Sequence, residues 1–223
     1  MKTTQFLSSH PSQNRALNGG VGKIPPTANL SDALAQLGFK FQTMHSRIRS
    51  MTGLPVWGPA FTVQCYPGAT FAVEEALEKA APGEVLVIDG AGDTHAVLMG
   101  GLMSRRARQR GLAGAVIDGA VRDVEELQTL SWPVFAVGST PASGTHARLG
   151  SVATATSCGE VVVQPGDWIA GDRDGVVVIP ARILGEVLEC ARQIEEREAQ
   201  IASALDRGLS LAEAAAAFKT RLA

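Results

Sequence analysis

Three short apolar runs, separated by segments with helical spacing, occupy the middle of the chain. The runs are residues 84–89 (EVLVID), 113–118 (AGAVID) and 132–137 (WPVFAV), and each has the length of a buried strand. Residues 99–110 and 121–130 lie between them and have apolar residues at helical spacing. This alternation is typical of parallel βαβ units. The sequence therefore predicts an α/β fold with a partly parallel central sheet.

Different patterns flank this central unit. After residue 150 the chain is rich in Val and Thr with close turns, which indicates β hairpins that close over one edge of the sheet. Residues 181–223 are predicted to form a C-terminal helical tail, broken near Gly208, that packs on the domain or on a neighbouring subunit. Residues 1–30 contain several Gly and Pro and are predicted to be an irregular arm. The α/β domain is then expected to span residues 31–180.

Composition limits the classes of function. With 223 residues, of which 45% are hydrophobic and 19% charged, the chain can bury the core of one large domain. A net charge of −2 argues against sequence-independent nucleic-acid binding, which depends on an excess of Lys and Arg. No apolar run is long enough for a signal peptide or a membrane span. The three cysteines have no paired spacing, so we expect a cytoplasmic protein with reduced thiols.

Candidate binding residues follow two of the predicted strands, at the sheet edge where ligands bind in α/β proteins. One strand leads to Gly100 and Gly101 at a predicted helix start, and another leads to Arg122 and Asp123. Amides at a helix N-terminus favour an anion, and paired glycines let it approach closely. Arg122 is suited to clamp a carboxylate, and Asp123 to hold a hard cation. On these residues alone, a structural ion pair is the commoner explanation of the last two.

Such a site would suit the chemistry of 2-oxo acids. A carboxylate clamp beside a carboxylate-bound divalent metal is what stabilises the enolate of a 2-oxo acid. A Schiff-base aldolase would instead need a desolvated lysine. None of the lysines lies in the strand-end loops; they are Lys2, Lys23, Lys40, Lys79 and Lys219. Metal-assisted chemistry is therefore the better interpretation.

The remaining nucleophiles and ligands give weaker signals. His45, His95 and His146 are scattered without metal-ligand spacing, and His95 is the one considered for the pocket because it precedes Gly100. Cys158 lacks a convincing base partner and is predicted to be a buried thiol.

Residues 100–127, GGLMSRRARQRGLAGAVIDGAVRDVEEL, resemble the signature of the RraA-like family. Further matches come in the family's order and cover roughly residues 31–208; they are GPAFTV (58–63), PGEVLVIDG (82–90), WPVFAVG (132–138) and PGDWIAGDRDGVVVIP (165–180). The family includes 4-hydroxy-4-methyl-2-oxoglutarate aldolases with oxaloacetate decarboxylase activity, and regulators of ribonuclease E activity. The resemblance implies a layered α/β/β/α-type sandwich.

The resemblance also implies roles for individual residues. Those that would bind the carboxylate of a pyruvate-like substrate are Gly100, Gly101, Leu102, Met103 and Arg122. Asp123 would hold a Mg²⁺ or Mn²⁺ ion. A glutamate from the C-terminal helix of a neighbouring subunit would help to hold metal-bound water, with Glu198 as the best match and Glu195 as the competitor. We therefore expect a homotrimer, or a hexamer of two stacked trimers.

The chain departs from the family pattern at one position. Aldolases of the family usually have Gly-Asp where this chain has Gly100-Gly101, and that aspartate is thought to hold the water used in acid/base steps. Without it the sites for the metal and the carboxylate remain, and oxaloacetate decarboxylation is easier to retain than aldol cleavage. We expect a divalent-metal-dependent lyase that forms a pyruvate enolate. The alternative is a non-catalytic RraA-type regulator that binds a ribonuclease, which the presence of Asp123 disfavours.

Overall fold

The computed structural model describes residues 24–217, in which the three apolar runs form neighbouring strands of one sheet. The strands are β1 (Arg49–Ser50), β2 (Val56–Cys65), β3 (Val85–Met99), β4 (Gly114–Val121), β5 (Val134–Ser139), β6 (Gly150–Val152), β7 (Thr156–Cys158), β8 (Val161–Val163), β9 (Trp168–Gly171) and β10 (Val176–Ile179). The helices are α1 (Thr27–Gln36), α2 (Phe71–Lys79), α3 (Gly101–Gln109), α4 (Val124–Thr129), α5 (Leu184–Asp206), which follows a 3-10 turn at Ala181–Ile183, and α6 (Leu211–Ala217).

The main sheet is mixed. Its strand order is β1-β5-β4-β3-β2-β9-β10, and β6 also pairs with β2. Strands β2, β3, β4 and β5 are parallel to their neighbours in this group, whereas β1, β6, β9 and β10 pair antiparallel. Strands β7 and β8 form a separate hairpin. The predicted partly parallel sheet and the β hairpins after residue 150 are therefore confirmed.

Three buried clusters divide the molecule into layers. The first lies between one face of the parallel strands and helices α2, α3 and α4. The second lies on the opposite face, where Val87 and Val116 meet Ile169 and Val178 from the curled β9–β10 end of the sheet. The third packs the other side of β9–β10 against α1 and α5. Successive residues of a strand point to opposite faces, so the continuous apolar runs serve two cores at once. The predicted α/β/β/α layering is confirmed.

The C-terminal helix α5 packs on the domain of its own chain. Leu34 of α1 shares a buried cluster with Val187, Ala191 and Ile194 of α5. The left-handed Gly208 (φ 90) separates α5 from α6, which accounts for the predicted break. Among residues 24–217, no helix combines the length and apolar character needed to cross a membrane.

Helix α1 begins inside the segment that was predicted to be an arm. Its first residue is Thr27, whose backbone N and Oγ1 both donate to the Asp172 carboxylate. The predicted boundary between residues 30 and 31 therefore falls within a helix. Residues 1–23 of the predicted arm, and residues 218–223 of the predicted tail, lie outside the described residues.

Strand β3 differs most from its prediction, because it continues to Met99 instead of ending at Asp89. Beyond Asp89 it keeps pairing with β4 through shifted registers, in which Asp93 faces Gly119 and Met99 faces Val121. Ala91 has a left-handed conformation (φ 56), which is found in one type of β-bulge. The Gly-rich stretch is thus a set of bulges rather than a loop, and β3 leads directly to the start of α3.

Candidate active site

Arg122 and Asp123 form the turn between β4 and α4. Strand β4 is buried along its whole length and ends at Val121, so α4 begins three residues later than the sequence predicted. The Arg122 backbone N donates to the Met99 oxygen at 3.2 Å, which ties this turn to the end of β3. Asp123 adopts a left-handed conformation (φ 61, ψ 40), which aspartate tolerates better than most residues. Strained backbone of this kind is concentrated at functional sites.

The start of helix α3 lies directly beside this turn. The Gly101 backbone N donates to Asp123 Oδ2 at 2.9 Å. Arg122 Nε lies 3.5 Å from the same oxygen. A side chain at Gly100 would come within 2.8 Å of Asp123 Oδ2, so the close approach of the two loops requires glycine there. The structure therefore brings together the two strand-end loops that the sequence singled out.

A cavity of about 290 Å³ opens between these loops. The sequence-predicted residues that line it are Gly100, Gly101, Leu102, Met103, Arg122 and Asp123. The side chains of Arg122 and Asp123 are each 42% exposed, so a small ligand can reach both of them.

The backbone amides predicted to bind a carboxylate, those of Gly100, Gly101, Leu102 and Met103, are not equivalent. The Gly101 amide already donates to Asp123. Leu102 and Met103 follow in the first turn of α3, where backbone N–H groups have no acceptor within the helix. These two amides, with the positive end of the helix dipole, are the better donors for a carboxylate. Gly101 instead positions the Asp123 carboxylate.

The geometry of Asp123 suits a hydrated divalent ion. The hydrogen bond from Gly101 and the closest approach of Arg122 both involve Oδ2, which leaves Oδ1 to face a cation. Across residues 24–217, no group of three or more His, Cys, Asp and Glu side chains is arranged to enclose a metal. A single carboxylate fits Mg²⁺ or Mn²⁺, since Mg²⁺ usually keeps several waters and binds few protein ligands.

The structure adds wall residues that sequence reasoning missed. They are Val97, Leu98 and Met99 at the end of β3, Thr70 directly before α2, and Ser143, Gly144 and His146 in the segment that follows β5. Ser143 Oγ lies 3.4 Å from Arg122 Nη1. The strand-end rule that identified Arg122 would also have pointed to this segment, because β5 is the next parallel strand.

The histidine that lines the cavity is His146, not His95, which the sequence suggested only as the weaker possibility. His95 Nδ1 pairs with Asp93 Oδ1 at 2.8 Å, and His95 does not line the cavity. His146 lines it instead, and its Nδ1 lies 2.9 Å from Glu74 Oε1.

The two candidate glutamates lie on α5, and neither lines the cavity of its own chain. Glu198 Oε2 accepts a hydrogen bond from Asn29 Nδ2 at 2.6 Å, which joins α5 to α1.

Cys65 and Cys158 are buried thiols whose pKa values are raised, which disfavours the thiolate form. Burial, with a contribution from Asp89, raises the pKa of Cys65 to about 12. Burial also raises the pKa of Cys158, which belongs to strand β7 and is fully buried in the second cluster. The prediction that Cys158 is a buried thiol is confirmed.

Comparisons with known proteins show which family the chain is similar to. The profile of the RraA-like family (Aldolase/RraA) matches residues 27–178. A relative from Halalkalibacterium halodurans, named "Putative 4-hydroxy-4-methyl-2-oxoglutarate aldolase", is 39% identical over 169 residues, covering 75% of this chain and 79% of the relative.

Two solved structures have the same fold. An uncharacterized protein from Pseudomonas syringae pv. tomato has a TM-score of 0.78 and 29% identity over 94% of this chain and 99% of that one. The RNA-processing inhibitor RraA from Thermus thermophilis has a TM-score of 0.61 and 30% identity over 67% of this chain and 92% of that one. The chain belongs to the RraA-like family.

Proposed function

We propose that this protein is a divalent-metal-dependent lyase that acts on 2-oxo acids and forms the enolate of pyruvate. The observation that carries the proposal is the meeting of Arg122, Asp123 and the start of α3 on one cavity of about 290 Å³. The aldolase name of the Halalkalibacterium halodurans relative supports the same class of reaction.

The carboxylate and 2-oxo group of the substrate would occupy the space between the two loops. The guanidinium of Arg122 would bind the carboxylate through two parallel N–H groups. The first-turn amides of Leu102 and Met103 would bind the same carboxylate from the helix side. This places the 2-oxo group next to Asp123.

Asp123 would hold a Mg²⁺ or Mn²⁺ ion through Oδ1 while Gly101 fixes its Oδ2. When bound, the ion would supply a Lewis acid that polarises the 2-oxo group and stabilises the negative charge that develops there. Arg122 would remain paired with the C1 carboxylate of the substrate throughout the reaction. The C1 carboxylate is therefore not the group that is lost as carbon dioxide.

Two reactions share this enolate. Decarboxylation of oxaloacetate breaks the bond to the C4 carboxylate and passes its electron pair to the enolate, so that no base is needed to release carbon dioxide. Cleavage of 4-hydroxy-4-methyl-2-oxoglutarate breaks the C3–C4 bond and additionally requires removal of the 4-hydroxyl proton. We therefore propose oxaloacetate decarboxylation as the less demanding of the two activities.

The test is pyruvate release from oxaloacetate and from 4-hydroxy-4-methyl-2-oxoglutarate. Release with Mg²⁺, its loss with EDTA and its recovery with added Mn²⁺ would support the proposal. Oxaloacetate also decarboxylates without protein. An Asp123→Asn variant is therefore the control from which this background rate is measured.

The second candidate is a non-catalytic regulator that binds another protein. The observation in its favour is the similarity to the RNA-processing inhibitor RraA. No pyruvate release above the background rate from either substrate would favour this second function.

A further inference from the structure

The cavity contains one titratable side chain to which the proposed function gives no role. Within residues 24–217, the lining side chains that can gain or lose a proton or hold a charge are Arg122, Asp123 and His146. Arg122 is assigned to the substrate carboxylate and Asp123 to the cation. His146 remains, at the cavity wall.

His146 is paired in the manner of a general base. Its Nδ1 lies 2.9 Å from Glu74 Oε1, and Thr70 Oγ1 donates to the same carboxylate oxygen at 3.2 Å. A carboxylate that accepts the Nδ1 proton fixes the tautomer and leaves Nε2 free to take a proton. The side chain of His146 is 84% exposed, so Nε2 is accessible to a ligand.

The backbone leading to His146 is anchored to the cavity wall. Thr70 N donates to the Thr145 oxygen at 2.9 Å, and Thr145 N donates to the Gly68 oxygen at 2.7 Å. A side chain at Gly144 would come within 2.7 Å of the same Gly68 oxygen, so the segment lies close against its neighbour. The position of His146 is thus set by the fold, in a way that suits an acid/base group.

Glu126 is the other carboxylate near the start of α3, and it is the weaker candidate. Arg105 Nη2 donates to its Oε1 at 2.6 Å, and Glu126 does not line the cavity. His146 lines the cavity, and its partner within the described part of the chain is the Glu74 carboxylate.

We propose that His146, oriented by Glu74, is the acid/base group for aldol cleavage. Nε2 takes the proton of the 4-hydroxyl as the C3–C4 bond breaks, and the electron pair of that bond passes to the enolate. The first product leaves as pyruvate. His146 then returns the proton to C3 of the enolate, which gives the second pyruvate. This inference rests on the proposed lyase function and adds the residue that handles the proton.

The chain offers a matched control for the experiment. His95 is also paired through Nδ1 with a carboxylate, that of Asp93, but lies outside the cavity. We would compare His146→Asn, Glu74→Gln and His95→Asn by measuring kcat/KM for 4-hydroxy-4-methyl-2-oxoglutarate and for oxaloacetate.

The ratio of the two kcat/KM values separates the inference from the proposed function. We expect His146→Asn to lower the ratio of aldol cleavage to decarboxylation by about a hundredfold or more, since acid/base groups typically contribute at least that much. Glu74→Gln should lower kcat for aldol cleavage by a smaller factor with little change in KM, and His95→Asn should change nothing. A ratio unchanged in His146→Asn overturns the inference, as does a wild-type enzyme that only decarboxylates. A wild-type protein inactive on both substrates overturns the proposed function itself.

Proton exchange provides a second measurement that needs no aldol substrate. Incubation of pyruvate with Mg²⁺ and enzyme in D₂O should exchange the methyl protons, because a base must remove a proton to form the enolate. We expect His146→Asn to lose this exchange and His95→Asn to keep it. Exchange at the wild-type rate in His146→Asn would show that another group moves the proton.

Discussion

The carboxylate of Glu126 occupies the space that a side chain at Gly101 would need. A Cβ atom built on Gly101 would come within 2.6 Å of Glu126 Cδ. The aspartate that the family's aldolases usually carry at this position therefore cannot be accommodated unless Glu126 moves. Arg105, which donates to Glu126 Oε1, would lose its partner in that movement.

We expect Gly101→Asp alone to destabilise the protein by about 1 kcal/mol, the low end for overpacking, because the Glu126 side chain is partly exposed. In the double variant Gly101→Asp/Glu126→Ala the overlap is removed. The two changes should therefore be coupled by at least about 0.5 kcal/mol in urea unfolding, as is usual for residues in contact. Strictly additive unfolding free energies would contradict the overlap.

Arg122→Lys should reduce turnover while the fold is retained. Lysine keeps the charge but loses the planar fork that binds a carboxylate through two hydrogen bonds. We expect kcat/KM for oxaloacetate to fall at least about tenfold, equivalent to roughly 1.4 kcal/mol. Arg192→Lys, on the exposed face of α5, is the control and should leave kcat/KM unchanged. Equal kcat/KM values in Arg122→Lys and Arg192→Lys would show that Arg122 does not belong to the site.

Asp123→Asn should abolish metal-dependent activity without unfolding the protein. Asparagine tolerates the left-handed conformation of this residue, so the circular dichroism spectrum and Tm should change little. Crystals soaked in Mn²⁺ should show an anomalous peak beside Asp123, and the variant should lose it. A peak elsewhere in the wild-type protein would overturn the assignment.

The ion pair between the buried Asp118 and the partly exposed Arg47 should be important for stability. Arg47 Nε and Nη2 donate to the two oxygens of Asp118 at 3.0 and 2.9 Å, and Gly159 N also donates to Oδ2 at 2.9 Å. Asp118→Ala removes the acceptor of the buried Gly159 N–H and of two Arg47 donors, while Arg47 keeps its solvent access and its pairing with Glu160, so we expect a loss of about 2 kcal/mol in the free energy of unfolding.

Glu160 provides the matched control, because it pairs with the same arginine from an exposed position. Its replacement by Ala should cost less than about 1 kcal/mol. Similar losses in the two variants would show that burial of Asp118 does not decide the strength of its pairing.

Subunit mixing should test whether Glu198 acts across an interface. We propose a homotrimer, or a hexamer, in which Glu198 of one subunit lies near Asp123 of the next. Glu198→Gln retains an acceptor for Asn29 and should lower activity tenfold or more, as is typical of groups around a metal. Mixed and refolded with Asp123→Asn subunits, it should recover up to about a quarter of wild-type activity, since random pairing in a symmetric ring restores that share of sites. No recovery, or an active monomer in light scattering, would contradict the proposal.

The subunit-mixing experiment tests the proposed interface more cleanly than removal of the C-terminal helix by truncation before Gln193. Ile194 belongs to the buried cluster between α1 and α5, so truncation would damage the fold of each subunit as well as any contact between subunits. The exchange of single polar groups avoids that effect.

The sequence was sufficient to predict that Arg122 lies near Gly100. Both residues follow strands whose apolar runs are unambiguous, and the carboxyl ends of parallel strands meet at one edge of the sheet. The sequence was not sufficient to predict the structure of residues 90–93. Their glycines are as typical of a loop as of the bulges that form where β3 pairs with β4. His146 was missed for a related reason. The strand-end rule points to the segment after β5 but not to this residue, whose return to the cavity depends on hydrogen bonds of Thr145 with Gly68 and Thr70, which are distant in sequence and leave no local pattern.

The left-handed backbone at Asp123 has an evolutionary consequence. Asparagine is at ease in the same conformation, and one nucleotide transition converts an aspartate codon into an asparagine codon. A protein with this fold can therefore lose the negative charge of Asp123 by a single mutation. Because the fold tolerates asparagine there, selection for folding would do little to prevent the change. The surface around the cavity would persist, available for recruitment to another use.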